Sequence, residues 1–309
     1  MKKTLHIIIL LTAMSISACT KINTGTEQPD EQYPYIFFDA EIAQTKSNLL
    51  ESLPSSAGTG FGVFGYRGGE AIFDGGVAHM YRKEAGSSFL YDNLVLWTDA
   101  NHDFYAYYPY NENTTVGKDE TGPYVSYTQP TSLADMVDFM TASKTGCSYS
   151  SSSVVPFVFN HRLFAFDVEI KNSQSYATED LTISSATVTL HSVSSGARLY
   201  YDGTIADIGN TSDITETFGS STIEKGETLT LNGEDSFLLL PTGSLTISFN
   251  IKGTDEFGDF DISVDLQTIP STFEAGQRYK MVISKVDGEG FTATVSGWTD
   301  GDNITFTFN

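Results

Sequence analysis

Cysteine is almost missing from this chain: two of its 309 residues, Cys19 and Cys147, carry a thiol. A disulfide framework is excluded, and so is a zinc site built on a cysteine cluster. Basic side chains are scarce as well, 17 against 39 acidic ones, for a formal charge of −22. Nucleic acid is thereby excluded as a partner, because phosphate binding needs a basic stripe that the chain lacks. The acidity instead favours solubility and discourages nonspecific anionic contacts. Helical periodicity is nearly absent, and no apolar run approaches the roughly 20 residues that cross a bilayer. The usual signatures of chemistry are absent too. His79, His102, His161 and His191 have no Gly-x-Ser-x-Gly elbow for company, and there is no His-Glu-x-x-His helix, glycine-lysine phosphate loop or EF-hand spacing. The expectation is a protein without enzyme activity, metal or cofactor.

What is present begins with a secretory start: Lys2 and Lys3, an apolar run from Leu5 to Leu11, then the small residues Ser15, Ser17 and Ala18. Ile16-Ser17-Ala18-Cys19 resembles the lipobox of bacterial lipoproteins. That resemblance implies cleavage before Cys19 and acylation of its thiol, with about 0.8 kcal/mol of anchoring per buried methylene. Residues 1–18 are expected to be the signal peptide. Residues 19–32, polar and interrupted by Gly25 and Pro29, are expected to be a flexible tether. Thr20, after the cysteine, is not the aspartate that typically retains lipoproteins at an inner membrane, so the outer membrane is the expected destination.

Short alternating runs bounded by Gly, Asn, Asp and Ser fill the rest, as in sandwiches and barrels. In Ile36 to Ala43, the side chains of Ile36, Phe38, Ala40 and Ile42 share one face, and Asp39 and Glu41 the other. Strands are expected at Phe61–Tyr66, Leu94–Trp97 and Phe104–Tyr108, and along Val154–Ile170 with a break at Asn160-His161. A second set is expected at Ala186–Leu190, Phe237–Leu240, Leu245–Ile251, Phe260–Leu266, Tyr279–Ile283, Phe291–Val295 and Ile304–Phe308. The length exceeds one ordinary domain, and Lys171 to Asp180 is polar without period. Residues 33–172 and 173–309 are therefore expected to form two β domains.

Individual candidates read as structural. Gly58-x-Gly60-x-Gly62 leads into Phe61, Val63 and Phe64 and not into a helix, so a turn and strand entry are expected. Asp300-Gly301-Asp302-Asn303 suits a turn better than a calcium loop. His161, beside Arg162 in an apolar run, suits packing. Tyr105, Tyr107, Tyr108 and Tyr110 offer rings that could stack on sugars, with Tyr105 and Tyr107 on one face and Tyr108 on the other.

In order along the chain stand Trp97 with Phe104-Tyr-Ala-Tyr-Tyr-Pro109, Asp138-Phe-Met-Thr-Ala142, Val155-Pro-Phe-Val-Phe-Asn-His161 and Leu163-Phe-Ala-Phe-Asp-Val168. Leu239-Leu-Pro241, Phe273-Glu-Ala-Gly-Gln-Arg-Tyr279 and Gly297-Trp298 follow. This series resembles the Bacteroidetes fimbrillins, the shaft and accessory proteins of type V pili. The resemblance implies two tandem transthyretin-like β-sandwich domains, export as an outer-membrane lipoprotein, and a fimbrial role in cell adhesion. It implies assembly with other pilin subunits by strand exchange. A protease removes the first strand, here Ile36, Phe38, Ala40 and Ile42, and a neighbour's last strand, here Ile304, Phe306 and Phe308, fills the groove. The family is commonly cut after an arginine soon after that strand. This chain has Lys46-Ser47 there, and its first arginine is Arg67. The competing expectation is a standalone surface lipoprotein that binds a glycan; a host protein is a further candidate partner.

Overall fold

The computed structural model describes residues 33–43, 50–149, 154–174, 180–207, 209–269, 272–286, 291–297 and 304–308. Among them the only helical piece is a 3-10 turn at Leu133–Asp135. The strands are β1 (Phe37–Ile42), β2 (Gly60–Arg67), β3 (Glu70–Ala71), β4 (Ala78–Arg82), β5 (Phe89–Leu90), β6 (His102–Tyr108), β7 (Val116–Lys118) and β8 (Pro123–Thr128). Then come β9 (Met140–Cys147), β10 (Val154–His161), β11 (Phe164–Asn172), β12 (Leu181–Ser194), β13 (Gly196–Tyr200), β14 (Ile205–Asp207), β15 (Thr211–Phe218) and β16 (Ser221–Ile223). Last are β17 (Thr228–Thr230), β18 (Phe237–Leu239), β19 (Leu245–Asp255), β20 (Gly258–Ile269), β21 (Arg278–Lys285), β22 (Phe291–Gly297) and β23 (Ile304–Phe308).

The first sheet has the order β1-β10-β9-β6-β2-β4-β5, with β3 on β2. Its two edges, β1 and β5, approach each other, so the sheet curls around an aromatic core that includes Phe38, Phe61, Phe73, Trp97, Phe104 and Phe157. A four-stranded sheet, β14-β13-β8-β7, covers the other face of β6. Tyr107 meets Val125, Tyr127, Ala197 and Leu199 there. The remaining sheets, β17-β11-β21-β22-β23 with β18 on β11, and β15-β12-β19-β20 with β16 on β12, close over the largest core.

Burial explains the strand patterns. β10 alternates, with Val155, Phe157, Phe159 and His161 inside and Val154, Pro156, Val158 and Asn160 exposed, because only one of its faces meets a core. β6 is buried on both faces: Phe104, Ala106 and Tyr108 belong to the curled sheet's core, and Tyr107 to the core across the sheet. The glycine run enters β2 as expected, for a reason of space. A Cβ on Gly60 would come within 1.6 Å of the Met80 carbonyl oxygen, and one on Gly62 within 2.3 Å of the Tyr107 ring.

The strand pairing departs from a division at 172/173. β11, expected with the first half, pairs parallel to β21 from Ala165↔Arg278 to Asn172↔Lys285, and its Phe164, Phe166, Val168 and Ile170 enter the later core. Conversely, β13 pairs antiparallel to β8, from Gly196↔Thr128 to Tyr200↔Tyr124. The break expected at Asn160-His161 falls instead at Arg162-Leu163, since His161 still pairs with Met140. Leu94–Trp97 makes no named strand; it meets the segment that leads into β1 through the Tyr35↔Leu96 bridge.

Candidate functional site

The two terminal strands lie at sheet edges. Among the described residues β1 pairs with β10 alone, in parallel, from Phe37↔Val154 to Ile42↔Phe159. Its ends are pinned by main-chain bonds: Trp97 N–H donates to the Pro34 carbonyl (3.0 Å), Ile36 N–H to Val95 (2.8 Å) and Ala43 N–H to Phe159 (2.8 Å). The Tyr91 hydroxyl donates to the Ile36 carbonyl at 2.9 Å. The alternation read in the sequence holds: Ile36, Phe38 and Ile42 are buried, Ala40 is half-buried against the same core, and Phe37, Asp39 and Glu41 are exposed. Phe38 is the main anchor. Its ring is stacked on Phe157 at 5.7 Å and meets Phe104 (5.2 Å) and Tyr91 (5.8 Å) edge-on, with Phe73 at 6.3 Å. Such a site binds an extended segment through backbone bonds on one side and pockets for alternate side chains below.

At the other terminus β23 closes the edge of its sheet, antiparallel to β22. Ile304, Phe306 and Phe308 stand in register with the buried residues Val295, Ala293 and Phe291. Cys19, Lys46, Ser47 and the Asp300 to Asn303 segment, expected to form a turn, lie outside the described residues.

The aromatic segments of the sequence gather in two cores, Trp97 and Phe104 in the first and Phe164, Leu239 and Phe273 in the largest. Asp138 meets His161 through Oδ2 and Nδ1 at 2.7 Å, both nearly sealed from solvent, and Asp138 also accepts the Leu50 N–H at 3.4 Å. Trp97 packs edge-on against His102 and Phe104. Phe273 and Tyr279 surround Phe164, which pairs with Leu239. The model of a family described as fimbrillin-like matches residues 54–298. The chain belongs to the fimbrillin-like family. No curated protein matches it. Among solved structures, this fimbrillin-like chain resembles a fimbrial protein from Bacteroides vulgatus at TM-score 0.59 and 17% identity, over 86% of this chain and 99% of that one. It also resembles a protein described as a cell adhesion protein from Bacteroides ovatus (TM-score 0.53, 16% identity, 90% and 100% covered) and another from Bacteroides uniformis (0.50, 20%, 88% and 100%). At these identities the likeness is one of fold. Among the described residues no helix is long and apolar enough to cross a membrane.

The expected sugar-stacking rings are mostly out of reach. Tyr105, Tyr107 and Tyr108 are buried, and Tyr110 is half-buried and stacked on His79 at 3.9 Å. Burial pushes the Tyr107 phenol well above its ordinary range. The alternation correctly put Tyr107 and Tyr108 on opposite faces, but the sequence did not reveal that both faces of β6 are covered.

One constellation escaped sequence reading because three strands assemble it. His191 Nδ1 lies 2.9 Å from Asp213 Oδ2, and its Nε2 lies 2.8 Å from Ser248 Oγ. Asp213 also accepts the Ser192 N–H, which with the His191 bond holds its carboxyl below the usual range. The order of groups is that of a nucleophilic triad, and a cavity of about 190 Å3 borders His191. The surroundings are wrong for acyl transfer. Ser248 stands in mid-strand opposite Thr189 on an open sheet face, where backbone N–H groups serve the ladder and are not aimed at a developing oxyanion. The cluster continues a cross-strand polar network with Thr187–Thr217 and Thr189–Thr215. Cys147 is free and buried, and burial raises its thiol pKa, which leaves it a weak nucleophile.

Proposed function

We propose that this chain is a cell-surface fimbrial subunit that supports adhesion, made as a lipoprotein anchored through Cys19 at the outer membrane and assembled by strand exchange. Loss of β1 after cleavage at Lys46-Ser47 opens its site on β10, and β23 of a neighbouring subunit fills it. The observation that carries this reading is β1 itself: among the described residues, an edge strand with one paired neighbouring strand that nonetheless holds Phe38 and Ile42, with Ile36 just ahead of it, in a core. An unpaired β10 edge with vacated apolar pockets is stabilised by another extended chain.

The arginine question bears on processing. Arg67 ends β2 and pairs with Glu70 and His102 inside the first sheet. Cleavage after Arg67 would leave β2, an interior strand between β6 and β4, on the released piece together with β1, so a cut that spares the fold falls at Lys46 or not at all. Intact mass and N-terminal sequencing of the protein from its native surface decide between these. A chain starting at Ser47 without lipid supports exchange; a diacylated chain starting at Cys19 identifies an anchor or solitary lipoprotein. Deleting Ile304–Asn309 is expected to abolish polymers while the monomer stays folded, and polymers of unchanged length would refute the donor role.

A further inference from the structure

A cleft between the β6–β7 connection and β8 has no part in strand exchange. Its volume is about 360 Å3, within the roughly 300–1,000 Å3 of small-ligand sites. Asn111, Asn113, Thr114 and Thr115 line it from the connection, and Ser126 and Thr128 from β8. Pro109, Tyr127, Phe139 and the exposed Val137 supply its apolar surface. Phe139 is itself stacked on Tyr107 at 6.3 Å and packed on Tyr127 at 5.1 Å, which makes that part of the lining rigid. The connection is fixed too, with Thr114 N–H bonded to the Asn111 carbonyl (3.0 Å) and Asn113 N–H to Asn111 Oδ1 (2.8 Å).

The lining narrows the ligand class. Asp135 is the one charged side chain among the lining residues, so an anion would meet a carboxylate and no cation. A single carboxylate does not hold a metal, and the described residues contain no cluster that could. An extended peptide finds no free edge on this side of β8, because Ser126 N–H already bonds the Thr115 carbonyl at 2.8 Å. What remains is a ring of amides and hydroxyls, each able to donate and accept, around apolar patches. That pattern matches a neutral polyol, whose hydroxyls need both kinds of partner and whose C–H face packs on apolar surface.

We propose that this cleft binds a short neutral saccharide. The test applies the full chain to an array of glucosides, galactosides, mannosides and N-acetylhexosamine oligosaccharides, with sialylated and sulfated glycans as anionic members. Any neutral glycan bound is then titrated calorimetrically. Ser126→Trp and Thr128→Trp, which fill the cleft, are expected to abolish binding, and Asn113→Ala in the exposed connection to weaken it about tenfold, the equivalent of one or two hydrogen bonds. Thermal melting confirms that each variant folds, and Asn113→Ala keeps the test open if a tryptophan does not fit. No neutral glycan bound, a preference for anionic glycans, or full binding by the filled variants would overturn the proposal. Deleting Ile304–Asn309 is expected to leave glycan binding intact, so failure of this site and failure of strand exchange are told apart.

Discussion

Replacing Phe38 with alanine removes the ring that fills the centre of the curled sheet, whereas the same change at Phe37, its neighbour in sequence, removes a ring that is 37% exposed. Truncating a buried phenylalanine costs about 3–5 kcal/mol, the larger values arising where the site cannot collapse. Phe38 is walled by Phe73, Tyr91, Phe104 and Phe157, all bulky and themselves buried. We therefore expect about 4 kcal/mol for Phe38→Ala and under about 1 kcal/mol for Phe37→Ala. With roughly 2–4 °C lost per kcal/mol in a unit of this size, the melting midpoints should fall by roughly 8–16 °C and by a few degrees at most. Urea titration followed by fluorescence reads the effect directly, because Trp97 sits in the same core. Hydrogen exchange at β10 amides provides a second readout: if β1 detaches as a unit, Phe38→Ala raises exchange there first. Equal costs at positions 37 and 38, or a cost below about 1 kcal/mol at Phe38 with β10 protection unchanged, would refute the assignment of β1 to the core.

Lys285 and Asp255 form a buried pair at 3.2 Å, with side-chain exposures of 2% and 5%, so Lys285→Met strands a carboxylate and should cost about 3–5 kcal/mol in a urea titration. Desolvation pushes the Asp255 carboxyl up, but bonds from Phe257 N–H, Gln174 and Lys285, with the Lys285 charge, hold it below the usual range. Its stabilisation is thus complete above the ordinary carboxylate pKa near 4 and is lost as pH falls further, a slope that Asp255→Asn should flatten. Burial foremost, and then Arg67, lower the His102 imidazole pKa. The unfolded chain takes up that proton more readily, so stability should decline as pH falls below about 6.5, and His102→Phe should reduce the decline. Gly62→Ala drives a methyl into the Tyr107 ring and should cost at least 1–3 kcal/mol by thermal melting, as overpacking typically does.

The strands most legible in the sequence are those with one covered face. β1 shows its alternation plainly, and β19, from Leu245 to Asp255, alternates strictly between buried residues and half-buried or exposed ones. β15 was hidden because Ile214 is the one residue it buries among Thr, Ser, Asp and Glu. β6 and β11 misled differently, since strands covered on both faces carry a nearly continuous apolar run, and such a run does not say which core it joins. The aromatic segments were legible as family marks, but the contact between Asp138 and His161 needed the fold, as did the three-strand meeting of Asp213, His191 and Ser248. The cleft was invisible for the same reason: Asn111, Ser126 and Asp135 are ordinary loop and edge residues until the chain brings them together.

The five-residue ladder between β8 and β13 stitches a segment from early in the chain to one from well past its middle. A tensile load entering at the β10 edge, where a neighbour's strand would sit, and leaving at β23 would meet this ladder in parallel with the covalent Arg162-Leu163 crossing. Pulled end to end, the molecule should not give at a hinge between its halves. It should resist as one mechanical element until the ladder shears, so a stretched filament of such units would extend in steps set by that event and not by gradual bending.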